Sequence, residues 1–104
     1  MAAKLAALGN QTRLSVFRFL VRAGRDGLNV GEIQMRAGIA ASTLAHHLAT
    51  LRQAGLIEQT KYGREVICVA DYQAMDRLVA YLTDECCADI GGVQPARKDQ
   101  ETIR

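Results

Sequence analysis

Short apolar-periodic stretches set apart by single glycines, a helix pair joined at Gly38, and a β-branched hairpin ahead of a last amphipathic stretch together predict a mainly α fold. The order is that of a winged helix-turn-helix, α-α-α-α-β-β-α, dimeric through its first and last helices. Residues 2–8 make a short helix carrying Leu5 and Leu8. From Asn10 to Ala23, Leu14, Phe17, Leu20 and Val21 recur at helical spacing, with Arg13, Arg18 and Arg22 on other faces, and Gly24 stops the run. A loop holding Gly24 and Gly27 leads to VGEIQMRA, residues 30–37, a short helix with Val30, Ile33 and Ala37 inward. Gly38 supplies a left-handed turn without a Cβ penalty. ASTLAHHLATLRQA, residues 41–54, is then the second helix of the motif, with Leu44, Leu48 and Leu51 on one stripe.

Beyond Gly55 the pattern changes from helical to extended. LIEQT and EVICV, between Leu56 and Val69, are rich in β-branched residues and flank KYGR, whose Gly63 marks the tip of a hairpin. Asp71 is the expected N-cap of a last helix, 72–87, in which Met75, Leu78, Val79, Leu82 and Cys86 form an apolar stripe. A subunit this small has no partner left for that stripe, so a two-fold dimer is expected to bury it. Residues 1–88 are read as the domain. Residues 89–104, with Gly91, Gly92 and Pro95 but no periodic face, are read as a frayed tail.

At 49% apolar and 23% charged, with a net charge of only +2, the composition is that of one folding domain and not of a disordered polymer. The apolar run VICVA, 66–70, falls far short of the roughly 18 residues that cross a bilayer. MAAKLAAL lacks the apolar core of a signal peptide, so a cytoplasmic protein without membrane contact is expected. Cys68, Cys86 and Cys87, two of them adjacent, make a poor disulfide framework and point to free thiols in a reducing compartment. Charge is uneven: nine Lys and Arg stand against four Asp and Glu in residues 1–70, and four against seven thereafter. A basic body suits an acidic polymer. The sequence carries no histidine cluster, no phosphate-binding Gly loop and no Ser or Cys with a paired base, so an enzyme is not expected.

A wheel of residues 41–54 sets His47 beside Leu44, Leu48 and Leu51, as a packed and hydrogen-bonded histidine, and places Ser42, His46, Ala49 and Gln53 opposite. The N-terminal half of such a helix approaches base edges in the major groove of double-stranded DNA. Ser42, Thr43 and His46 are therefore the candidate base readers, flanked by Thr50, while Ala41 and Ala45 are limited to methyl contacts with thymine. Arg52, and Lys61 and Arg64 at the hairpin tip with Tyr62 between them, are expected to hold phosphates, contacts that position without reading sequence.

NQTRLSVFRFL, VGEI and GIAASTLAHHLATLRQAGLIEQTKYGREVICV, followed by the terminal amphipathic stretch, resemble the ArsR/SmtB family of bacterial repressors over about residues 3–87. The resemblance implies a homodimer on a palindromic operator, released when an inducer, often a thiophilic metal or metalloid, binds. Departures from the family pattern narrow the inducer site. Ala40 and Ala41 stand where the family often has a Ser cap and a polar residue, the arsenic-sensing cysteine pair of the motif's first helix is missing, and no histidine follows His47 to build the zinc site of the terminal helix. Arsenic-responsive relatives with an adjacent cysteine pair late in the last helix, usually with a third thiol soon after, make Cys86 and Cys87 the implied ligands of As(III), Sb(III) or an organoarsenical. Residues 88–104 supply no third thiol, so inorganic arsenite would need Cys68 or an exogenous thiol. Thiolates also suit Zn(II) and Cu(I). No obligatory cofactor is implied. A helix running to residue 86 would put that residue roughly 21 Å from Cys68, which then joins the pair only across an antiparallel dimer. Core packing of Cys68 and Cys86, a thiol redox switch, and a winged-helix protein-interaction module without an operator are the competing expectations.

Overall fold

The computed structural model describes residues 1–90. The expected tail, Gly91, Gly92 and Pro95 included, thus lies outside the described residues apart from Asp89 and Ile90. Among the described residues five α-helices, α1 (Ala2–Leu8), α2 (Gln11–Ala23), α3 (Val30–Ala37), α4 (Ala41–Gln53) and α5 (Tyr72–Thr83), accompany strands β1 (Leu28–Asn29), β2 (Ile57–Tyr62) and β3 (Glu65–Ala70). Among the described residues no helix is long and apolar enough to cross a membrane.

Asn10 lies in extended backbone and its side chain accepts from the Arg13 N–H at 3.0 Å, so the residue read as the start of a helix is the cap of α2. α2 is the central helix, packed on α1, α3, α4 and β3. That surround turns its buried arc toward Val16, Phe17 and Leu20 and leaves Leu14, which spacing places inward, 39% exposed. Val16, Leu20, Ile33, Leu44, Leu51, Leu56 and Cys68 make the driest part of the core.

The loop expected around Gly27 contains a strand. Leu28 and Asn29 carry no period of their own and become β1 because Cys68 and Ile67 of β3 pair with them, in a sheet of order β1-β3-β2 that is antiparallel throughout. Gly27 permits the approach: at φ +70° a Cβ would overlap the Cys68 carbonyl oxygen and press on Val69. β2 and β3 form the hairpin, in register from Ile57 opposite Ala70 to Tyr62 opposite Glu65.

α5 starts as expected, the Asp71 side chain accepting from the Ala74 N–H at 2.9 Å. Its first turn is pinned to α2 by the Tyr72 hydroxyl, which lies 3.1 Å from the carbonyl oxygens of both Leu20 and Val21. The helix ends at Thr83, not at residue 87. Val79, Tyr81 and Leu82 are each more than half exposed within this chain, so no packing among its described residues supports a further turn. Thr, Asp and Cys are also weak helix formers. Residues 84–87 instead turn, with Glu85 and Cys87 at φ 59° and 64°, and Cys86 leaves the apolar stripe on which spacing puts it.

Candidate nucleic-acid interface

The helix pair is built from the cap inward. Asn29 Oδ1 accepts from the Glu32 N–H at 2.8 Å while Glu32 Oε1 accepts from the Asn29 N–H at 2.9 Å, a reciprocal cap that starts α3 firmly. Gly38 ends it in left-handed backbone, φ 66° and ψ 38°, with its N–H donating to the Gln34 carbonyl. Ala40 then opens α4 with no side-chain cap. The first N–H groups of α4 have no intrahelical acceptor, an arrangement that suits a phosphate oxygen.

Burial of Leu44, Leu48 and Leu51 fixes the roll of α4 and holds Ser42, Thr43 and His46 out in solvent together with Ala41 and Ala45. His47 is half-buried, as the wheel places it, and its Nδ1 lies 3.3 Å from Arg13 Nη1. A guanidinium only donates, so this nitrogen accepts and the ring is neutral with its proton on Nε2. Burial, then the Arg13 charge, then that of His46 push His47 below the ordinary imidazole value. Arg13 Nε also donates to the Ala7 carbonyl at 2.6 Å, so one guanidinium ties α1, α2 and α4.

The remaining predicted contacts divide. Thr50 is half-buried and its hydroxyl donates to the His46 carbonyl oxygen at 3.1 Å, which leaves that proton unavailable to DNA. Lys61, Tyr62 and Arg64 are all exposed around Gly63 at the hairpin tip, which is anchored at its base by Asn29 Nδ2 donating to Glu65 Oε2 at 3.0 Å. Arg52 is exposed in the corner between α4 and β2, its Nη1 donating to Gln59 Oε1 at 2.8 Å. Gln59 is a residue that sequence reasoning missed. Its only signal was its place on the strand opposite EVICV, which does not reveal that it faces Arg52.

Three thiols are present, and the structure brings two of them together. Cys86 Sγ and Cys87 Sγ lie 3.3 Å apart, with Cys86 exposed and Cys87 half-buried. The hydrogen bond between them, together with the Cys87 charge, raises the Cys86 thiol above its ordinary value. Cys68 has no accessible surface, and burial raises its thiol against a smaller opposing effect of the Gln59 hydrogen bond. Among the described residues no group of three or more His, Cys, Asp and Glu is placed to hold a metal ion, so Cys68 does not complete a site with the pair inside one chain.

An open helix face beside a basic hairpin is the geometry of a winged DNA reader, and comparison with known proteins agrees. Residues 8–60 match the family model described as a helix-turn-helix domain. HlyU from Vibrio cholerae is 31% identical, with a TM-score of 0.64 over 78% of this chain and 88% of its own. An ArsR-like transcriptional regulator from a Rhodococcus species is 27% identical, with a TM-score of 0.70 over 86% of this chain and 80% of its own. The chain belongs to the helix-turn-helix transcriptional regulators of the ArsR type. The HTH-type transcriptional regulator YgaV of Escherichia coli is a further relative, 29% identical over 86 residues that span 83% of this chain and 85% of YgaV. A regulator of this type acts by binding DNA and not by catalysis.

Proposed function

We propose that this ArsR-type regulator is a homodimeric repressor on a palindromic operator, released when a thiophilic inducer, foremost trivalent arsenic or antimony, binds Cys86 and Cys87. The observation that carries the inducer reading is the pair of neighbouring thiols, 3.3 Å apart with Cys86 exposed and Cys87 half-buried, just past the helix whose outer apolar face lacks cover. Two thiolates match a monosubstituted arsenical. Inorganic arsenite needs a third, and the buried Cys68 is badly placed to supply it, which leaves an exogenous thiol. Release then follows from linkage: an inducer that prefers the free dimer lowers operator affinity by the factor it loses on DNA.

The deciding experiment is operator release followed by fluorescence anisotropy on addition of phenylarsine oxide. The wild type is expected to leave the duplex, and the Cys86→Ser/Cys87→Ser protein to bind DNA equally well and stay. An inducible double variant overturns the assignment. Peroxide is the control for a redox switch. Adjacent Cα atoms are about 3.8 Å apart across a trans peptide, short of the roughly 4.4–6.8 Å that disulfides span, so the pair is better suited to chelation than to closing on itself.

A further inference from the structure

We infer that Gln59, oriented by Cys68, is the positioning residue that aims Arg52 at the DNA phosphate strand passing between recognition helix and wing. The inference rests on the reading of α4 and the hairpin as the DNA-binding surface. Gln59 lies on β2 directly opposite Cys68 of β3. Its amide has one accepting and one donating end, and the two neighbours decide which way it faces. Arg52 can only donate, so Oε1 must meet it, at 2.8 Å. Nε2 is thereby turned inward, 3.4 Å from Cys68 Sγ, where a sulfur acceptor receives it. A wholly buried thiol is a fixed anchor, and a half-buried glutamine carries that fixity to an exposed guanidinium.

Among the described residues one of the five N–H groups of Arg52 is spent, on Gln59, and the others remain for a ligand. A helix in the major groove and a hairpin in the neighbouring minor groove are separated by one sugar-phosphate strand. Arg52 stands in the corner where the helix meets the base of the hairpin, on the path of that strand. This also gives Cys68 a part in DNA binding without any contact to inducer or DNA.

Phosphate contacts are independent of sequence, so a fluorescein-labelled mixed-sequence 30-base-pair duplex serves as probe, titrated with the full chain across about 50–250 mM salt. Arg52→Ala is expected to lower the slope of log affinity against log salt by about 0.9, the loss of one phosphate. Gln59→Met, which keeps the length and removes the amide, is expected to weaken binding at least about threefold, with no further loss when added to Arg52→Ala, as for coupled residues. Cys68→Ser, which retains an acceptor, should match the wild type, and Cys68→Val should match Gln59→Met. If the Cys68 variants do not fold, the Gln59–Arg52 cycle decides alone. Losses from Gln59→Met and Arg52→Ala that multiply independently, or no loss from either, overturn the inference. A wild type that binds no duplex overturns instead the DNA-binding reading beneath it.

Discussion

At neutral pH the Arg13 guanidinium reaches both the Ala7 carbonyl and His47 Nδ1, and a proton on that nitrogen removes the acceptor while setting one cation against another. The charged groups facing His47 are Arg13 from α2 and His46 on its own helix, and both act in the same direction as burial. The folded state therefore prefers the neutral ring. As pH falls below the ordinary imidazole value the unfolded chain takes up the proton first, so stability present above that value is lost as pH drops toward the lower folded value. The melting temperature is expected to fall between about pH 7.5 and 5.5, and to fall less in His47→Gln, whose amide oxygen can still accept from Arg13. Parallel pH profiles for the two proteins would assign the dependence to another group. The exposed residues nearby carry a different expectation. His46→Ala should change which sequences are preferred, whereas Lys61→Glu with Arg64→Glu should weaken all duplexes alike and cut the salt slope by about 1.8 or more. Equal losses across sequences from His46→Ala would remove it from the base readers.

Among the elements, α1 and α4 both start without a side-chain cap, and α4 is the one that opens the candidate DNA-binding face. Ala40 already has extended backbone, φ −65° and ψ 149°, and is exposed, so it occupies a cap position without a cap. Ala40→Ser would let an Oγ accept from the N–H of Ser42 or Thr43, which is worth about 1 kcal/mol. In a domain of this size that raises the melting temperature by roughly 4–8 °C, and an unchanged midpoint would mean that the start of α4 is already satisfied. Short helices set by local spacing were legible from sequence: α1 and α3 have the bounds the spacing gives, and Gly38 ends α3 in the left-handed turn expected of it. Elements whose ends depend on distant partners were not. β1 exists because β3 pairs with it, Leu14 is turned out by the neighbours of α2, and α5 stops where burial stops although the apolar spacing continues to Cys86. The exposed faces of α4 and the wing could be placed because three leucines set the roll of a helix. Gln59 could not, since its significance arises only when β2 brings it to Arg52 and Cys68 at once.

For the molecule as a whole, the decisive feature is apolar surface left over once the core is filled. Leu5 of α1, Leu14 of α2 and Val79, Tyr81 and Leu82 of α5 are all exposed. A groove of about 390 Å³ runs between α2 and α5, lined by Leu8, Leu14, Phe17, Met75, Leu78 and Val79 among others. Monomeric proteins seldom leave contiguous apolar surface of this kind uncovered. On the proposed reading a second copy covers it, as the two-fold symmetry of a palindromic operator would also require. Val79→Glu with Leu82→Glu puts two charges on that surface and none near α4. Sedimentation velocity at micromolar concentration should find a wild-type dimer and a folded monomeric variant. On DNA the variant should keep salt-dependent binding to any duplex, because each subunit retains its own phosphate contacts, but lose the preference for paired half-sites, because nothing then holds two recognition helices at a fixed separation. A wild-type monomer, or a variant that stays dimeric, would place the subunit contact elsewhere or nowhere. A variant that dissociates yet still prefers the palindrome would mean that the operator itself assembles the two subunits.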